Sequence, residues 1–299
     1  MKYVSIAWST AGEAWSRKTA LVLAALAVVV LLFYAFGMEV TNSDDPDMVY
    51  FLVLGVVNPL DETFDSELPA ASIQRRVPRD AVVFFSAAYA LGLLNPLGVF
   101  FALFVVITLF SAALKKQRLY WVLAKPVHRV GFLLSMYAGG LLLVLLTSMG
   151  FLGAMAALIF WKTGVFFPEL LVSGLLVMFN FAILLAFAML IVVWTRSTGP
   201  GLMLTGLMYL SVSFLQALPG FGYYQNLPAW SRLLVDGAYH ILPKLSDLEV
   251  LAQRHISGFL PAQILPQLRS GQSALFATSA AFLIAILAIG AWEFQRRDI

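Results

Sequence analysis

Cysteine is absent from the 299 residues. That excludes a disulfide framework, a thiolate metal centre and a cysteine nucleophile. Charge is scarce as well. Asp, Glu, Lys and Arg make up 12% of the chain against 61% apolar residues, too little to coat the surface of a soluble domain. The three histidines, His128, His240 and His255, stand apart without ligand spacing, so no metal site is expected. No Gly-x-x-x-x-Gly-Lys-Ser/Thr stretch occurs, which leaves the chain without a phosphate loop for nucleotide. The apolar runs contain no histidine and no paired carboxylates. Acid–base and nucleophilic catalysis therefore lack their usual groups. No catalytic residue, cofactor or nucleic-acid partner is expected.

What is abundant is long apolar sequence. Six runs stand out: Thr19–Met38, Ala81–Leu114, Val130–Phe160, Leu170–Trp194, Gly201–Leu218 and Ser273–Trp292. None has a charged residue in its middle. A bilayer core of roughly 30 Å takes about 20 apolar residues of helix, and a soluble helix of that length would keep a polar face. The reading is an all-α integral membrane protein, a single transmembrane domain with spans near 19–38, 96–114, 130–160, 170–194, 201–218 and 273–292. In the second run Asn95-Pro96 is expected to break the helix, leaving a short entry helix over 81–94. The first run follows Arg17-Lys18 but is too long for a cleaved signal sequence, and reads as a retained anchor.

Lys and Arg mark the cytoplasmic side. With both termini inside, residues 1–18, 115–129, 195–200 and 293–299 hold eleven Lys and Arg against three carboxylates. Both termini are therefore placed in the cytoplasm, with the chain in the plasma membrane, the inner membrane in a bacterium. Outside, residues 39–80 carry nine carboxylates, read either as a solvated surface or as a site for a cation or a cationic partner. Within them the apolar stretch Met48–Val57 is a strand or an interfacial segment. The second outer segment, Pro219–Gln272, is divided by five prolines. Its Ala229–Ile241 and Ser246–His255 mix apolar and charged residues as short helices lying flat at the interface do, forming a lid or a plain connector.

The inner loop Lys115–Arg129 places two basic clusters around an apolar aromatic centre, with Pro126 turning the chain into the third span. Its Ala124-Lys125-Pro126-Val127-His128-Arg129-Val130-Gly131-Phe132-Leu133-Leu134 resembles the Ser/Ala-Lys-Pro-Val-Ser-Arg-x-x-Phe-Leu-Leu signature of ABC-2 permeases, the type-2 permeases of ATP-binding-cassette transporters. The likeness extends to an amphipathic N-terminal helix with Val4, Trp8, Ala11 and Trp15 on one face. It extends also to His240–Leu248, similar to a Leu-Pro-x-Leu-x-Asp/Asn segment before the last span, and to the charged tail Glu293–Ile299. The departures are Lys115-Lys116-Gln117-Arg118, where the family commonly has an acidic residue and Gly-Thr, and Ser135-Met136, where it often has Gly-Lys.

The resemblance implies an exporter permease that works as a homo- or heterodimer with a separate cytosolic ATPase. ATP and Mg would be bound by that partner. It implies a cytoplasmic coupling helix in the 115–129 loop, with Lys115, Lys116, Arg118, Leu119, Trp121, Leu123, Lys125, Pro126 and Arg129 at the docking surface. The alternatives are a membrane scaffold without transport and an ion-coupled carrier. The second is disfavoured because the spans hold no charge at depth.

In the fifth span Thr205, Tyr209, Ser213 and Gln216 share one helical face. They either line a translocation path between protomers or act as interhelical hydrogen-bond glue; Asn180 in the fourth span has the same two readings, with packing favoured. The small-residue stripes Ala277/Ala281/Ala285/Ala288 and Gly150/Ala154 with Gly153/Ala157 are expected to let helices approach closely.

Overall fold

The computed structural model describes residues 19–42, 48–53, 76–114, 128–220, 224, 228–256 and 271–296. Helix α1, Thr19–Gly37, runs into a three-stranded antiparallel sheet of β1 (Met38–Asn42), β2 (Met48–Val53) and β3 (Arg76–Pro78), in the order β1-β2-β3. Met38 faces Val53 across the first pair and Met48 faces Pro78 across the second. The apolar stretch after Met48 thus folds as a strand. The other regular elements among the described residues are helices. The remaining elements are α2 (Arg79–Leu93), α3 (Val99–Ala113), α4 (Arg129–Thr163), α5 (Glu169–Thr195), α6 (Thr198–Ala217), α7 (Ala229–Ile241), α8 (Leu245–Ile256) and α9 (Gln272–Arg296).

Five helical stretches are long and apolar enough to cross a bilayer: 81–113, 129–163, 169–195, 198–217 and 272–296. They give the chain the character of a multi-pass membrane protein. Helix α1 is a further apolar helix, packed on α3 and α4 and tied to α4 by the Lys162 ammonium, which donates to the Ala35 carbonyl at 2.8 Å.

The second run differs from expectation. Asn95-Pro96 does not end the helix. A π turn over Leu94–Gly98 carries the chain from α2 into α3, and the Val99 N–H reaches back five residues to the Leu94 carbonyl. The wider turn takes up one extra residue, so the missing proline N–H is accommodated without a break. The result is one helical stretch of 33 apolar-rich residues, about 50 Å at 1.5 Å per residue.

Helix α5 is the axis of the bundle. It packs against α3, α4, α6, α8 and α9, and Ile183, Leu184, Leu185, Ala188 and Val192 have no exposed surface. A helix apolar all round belongs in such a place. Close approach is secured by glycines whose added Cβ would collide with a neighbour. Gly174 would meet Leu152 Cδ1 at 2.2 Å, Gly140 would meet Val106 Cγ1 at 2.5 Å, and Gly201 would meet Val192 Cγ2 at 2.6 Å. Within this chain the stripes expected to serve this purpose do not. Gly150 and Gly153 have nothing within 4 Å of an added Cβ, and Gly150, Ala157, Ala277, Ala281, Ala285 and Ala288 are exposed. These small residues face away from the bundle, because the core-facing positions of α4 and α9 are taken by larger side chains such as Leu152, Met155 and Leu275.

Helix α4 stops at Gly164, whose φ of 73° is the left-handed conformation glycine supplies at helix ends. Helix α5 stops at Arg196 in the same conformation, φ 53°, although arginine pays for it sterically. Two residues then turn the chain into α6.

The last expected interfacial segment is the largest departure. Helix α7 does present Trp230, Leu233, Leu234 and Ile241 outward. Helix α8 does not lie on the surface of the chain. It is inserted among α5, α6 and α2, with Leu245, Leu248, Leu251, Ala252 and Ile256 buried.

Candidate functional site

The insertion of α8 brings a carboxylate and several polar side chains together inside the apolar bundle. Three contacts hold its entry corner. The Gln216 amide donates to the Pro243 carbonyl at 2.6 Å and accepts from the Ser246 N–H at 2.8 Å, bracketing the start of α8. The Lys244 N–H donates to Ser279 Oγ at 3.1 Å on α9. Lys244 itself is 2% exposed; its ammonium lies over the Tyr239 ring and donates to the Tyr239 carbonyl. The Tyr239 hydroxyl in turn donates to Asp247. A lysine is rarely buried unless its donors and charge are met, and here the corner meets them.

From that corner α8 carries Glu249 inward. Its carboxylate accepts from the Tyr209 hydroxyl of α6 at 2.8 Å and from the Asn180 amide of α5 at 3.4 Å. The Asn95 amide, on the π turn, completes the set of donors. Asn180 is the twelfth residue of α5 and Tyr209 the twelfth of α6. At 1.5 Å per residue Asn180 lies about 16 Å from the start of α5, so Glu249 sits level with the middle of the spans. The spans themselves carry no charged residue in their middle, as read from the sequence; Glu249 is brought among them by the short helix α8, so the lack of charge in the spans is no argument against ion coupling.

A cavity of about 200 Å³ opens beside the cluster, lined in part by Gly92, Asn95, Pro96, Tyr209, Glu249 and Gln253. Pro96 has no N–H to return to the Gly92 carbonyl one turn back, and both residues border the cavity. Glu249 is half-buried because it faces this space. Burial lifts its carboxyl above the ordinary carboxylate range, while the bonds from Tyr209, Asn95 and Asn180 act in the opposite direction. The amide oxygens of Asn95 and Asn180 are buried without a partner. A second cavity, about 100 Å³, lies among Val30, Leu94, Val144, Met178 and Phe181; its apolar walls offer little chemistry.

The residues read from sequence divide sharply. Lys115, Lys116, Arg118, Leu119, Trp121, Leu123, Lys125 and Pro126 lie outside the described residues, as do the N-terminal helix with Val4, Trp8, Ala11 and Trp15 and most of the acidic segment. Arg129 is the first residue of α4. On α6, Thr205 donates within its own helix to the Gly201 carbonyl at 2.7 Å, Tyr209 reaches Glu249 and Gln216 brackets α8. Ser213 Oγ is buried without a partner. Three of the four thus make their bonds inside this chain, two of them to the α8 segment. Among the described residues no group of three His, Cys, Asp or Glu could hold a metal ion.

Glu249 and Asn95 were missed, and Asn180 was taken for packing. The signal for Glu249 is a single acid in Leu248-Glu249-Val250-Leu251-Ala252, flanked by apolar residues at helical spacing. No known family model and no curated protein matches the chain.

Proposed function

We propose that this chain is the membrane permease subunit of an ATP-binding-cassette transporter of the ABC-2 type, an exporter driven by a separate cytosolic ATPase. The chain supplies the passage and its partner supplies ATP hydrolysis. The observation that carries the reading is the basic aromatic loop 115–129 and its signature-like end, which joins two of the longest helical stretches, 81–113 and 129–163. With α1 as a sixth span, alternation of the helices puts this loop, the Arg196–Ser197 turn and both termini on one face. That face holds the excess of Lys and Arg. Helices α7 and α8 then enter from the opposite, outer face.

The mechanism is mechanical. Closure of the motor pushes on the loop and hence on α3 and α4. Both pack on α5, and α5 holds Asn180 against Glu249 of α8. Force thus has a contiguous packed route from the docking loop to the polar cluster, of the kind that shifts between two discrete arrangements. The permease works in a dimer with a second permease protomer, homo- or heteromeric, and the exposed faces of α6 and α9, with Met203, Leu207, Leu210 and Ile284, meet lipid or that protomer.

Reversing charge at Lys125 and Arg129 together is expected to abolish co-purification of an ATPase with the tagged protein in mild detergent. Retention of the ATPase by the double variant defeats the docking assignment. Because the chain has no cysteine of its own, a Trp121→Cys variant reports sidedness directly. Labelling by an impermeant thiol reagent from outside intact cells defeats the orientation.

A further inference from the structure

We propose that Asn95, Asn180, Tyr209 and Glu249 form a binding site for a small monovalent cation. The motor reading assigns no ligand to this cluster, and the inference does not depend on it.

The site is a convergence of oxygen atoms around a single negative charge. Glu249 reaches into the bundle level with the middle of α5 and α6, and its partners there, Tyr209, Asn180 and Asn95, are all neutral donors. Of the described residues bordering the cavity, Tyr209 and Glu249 are the titratable ones, and none is basic. A carboxylate at such depth is expensive without a counter-charge, and its usual meaning is a bound cation or proton.

The second observation separates a cation from a proton. Asn95 is 8% exposed and Asn180 1% exposed, and the carbonyl oxygens of both amides are buried without a partner. Buried polar atoms are nearly always paired, so two orphaned acceptors beside one acid need an explanation. A protonated Glu249 has one O–H and can satisfy at most one acceptor. A cation satisfies several. Rotation of either amide about its last side-chain bond would present its oxygen to an ion beside Glu249 at little steric cost, because the two ends have nearly the same shape, and would leave the N–H₂ where the unpartnered oxygen now lies. The Tyr209 hydroxyl can accept as well as donate.

Charge and size set the class. One carboxylate neutralises one positive charge; a divalent ion would keep an uncompensated charge in the bundle and ordinarily recruits more carboxylates. About 200 Å³ is several times the roughly 30 Å³ share of one water. The cavity therefore has room for a partly hydrated alkali ion or for a small ammonium group. The shared chemistry is a monocation held by oxygen, and its source is either an inorganic ion or the amine head of a transported molecule.

The test uses the purified full-length chain in detergent without any ATPase. Thermal unfolding is followed in NaCl, KCl, methylammonium chloride and choline chloride at equal ionic strength, with radioactive sodium and rubidium binding measured in parallel. Saturable stabilisation by one of the first three over choline is expected, and which one identifies the source. Glu249→Gln is expected to remove the response. Asn95→Ala and Tyr209→Phe are expected to weaken affinity several-fold, and they decide the matter if Glu249→Gln does not fold. Identical unfolding in all four salts overturns the site. So does a response that persists unchanged in the folded variants, or one that follows pH alone.

Discussion

Replacing Glu249 by glutamine and by leucine separates the two opposed effects that its position creates. Glu249→Leu deletes the acceptor for Tyr209, Asn180 and Asn95 at once. Each buried donor left unpaired costs about 1–3 kcal/mol; removal of the desolvated charge returns part of that. A net loss of about 3 kcal/mol is expected. Glu249→Gln keeps an oxygen for Tyr209, and its new N–H₂ can face whichever asparagine turns its free oxygen inward. Its cost should stay within about 1 kcal/mol. The pH dependence carries a definite sign. The folded carboxyl titrates above its unfolded value near 4.5, so the folded state holds the proton more tightly. Stability is then highest below the unfolded pKa and declines as pH rises toward and through the folded one. Glu249→Gln has no such proton and should lose this part of the slope, gaining on the wild type as pH increases. Unfolding of the purified protein, followed by tryptophan fluorescence across mildly acidic to neutral pH, measures all three. A leucine variant as stable as the wild type, with an unchanged pH slope in the glutamine variant, would show that Glu249 is not held as described.

Gly174→Ala and Gly201→Ala should each cost about 1–3 kcal/mol, since an added Cβ would lie 2.2 Å from Leu152 Cδ1 and 2.6 Å from Val192 Cγ2. Gly150→Ala and Gly153→Ala meet open space and should be neutral or gain up to about 1 kcal/mol of helix propensity. Equal losses at all four in a denaturation series would undo the packing account. At the α5–α6 turn, Arg196→Gly should relieve about 1 kcal/mol of left-handed strain against roughly 0.5 kcal/mol lost from a cation at a helix C-terminus. Arg196→Val keeps the strain and loses the charge, so a melting temperature matching the glycine variant contradicts the assigned conformation.

How much was legible follows from which forces are local. The runs around α4, α5, α6 and α9 agree with the observed helices to within a few residues, because exclusion of charge over 20 residues needs no knowledge of neighbours. The sidedness argument likewise rests on counting Lys and Arg. Asn95-Pro96 misled because a proline alone does not say whether a π turn will absorb it. Ser246–His255 misled because a 12-residue helix with both apolar and charged positions fits an interface as well as an interior crevice. The choice was made by Gln216, Ser279 and Asn180, which lie up to 69 positions away in the chain. The small-residue stripes misled for a related reason, since glycine spacing shows where helices could approach and not which helix arrives.

Membrane residence and most of the helical spans are written in one dimension, since both depend on the transfer of contiguous apolar residues out of water. The depth of Glu249, its neutral partners and the orphaned amide oxygens around it come from three dimensions alone. Four separate stretches supply that cluster, and only the packing of α8 against α5 and α6 brings their polar atoms within bonding distance.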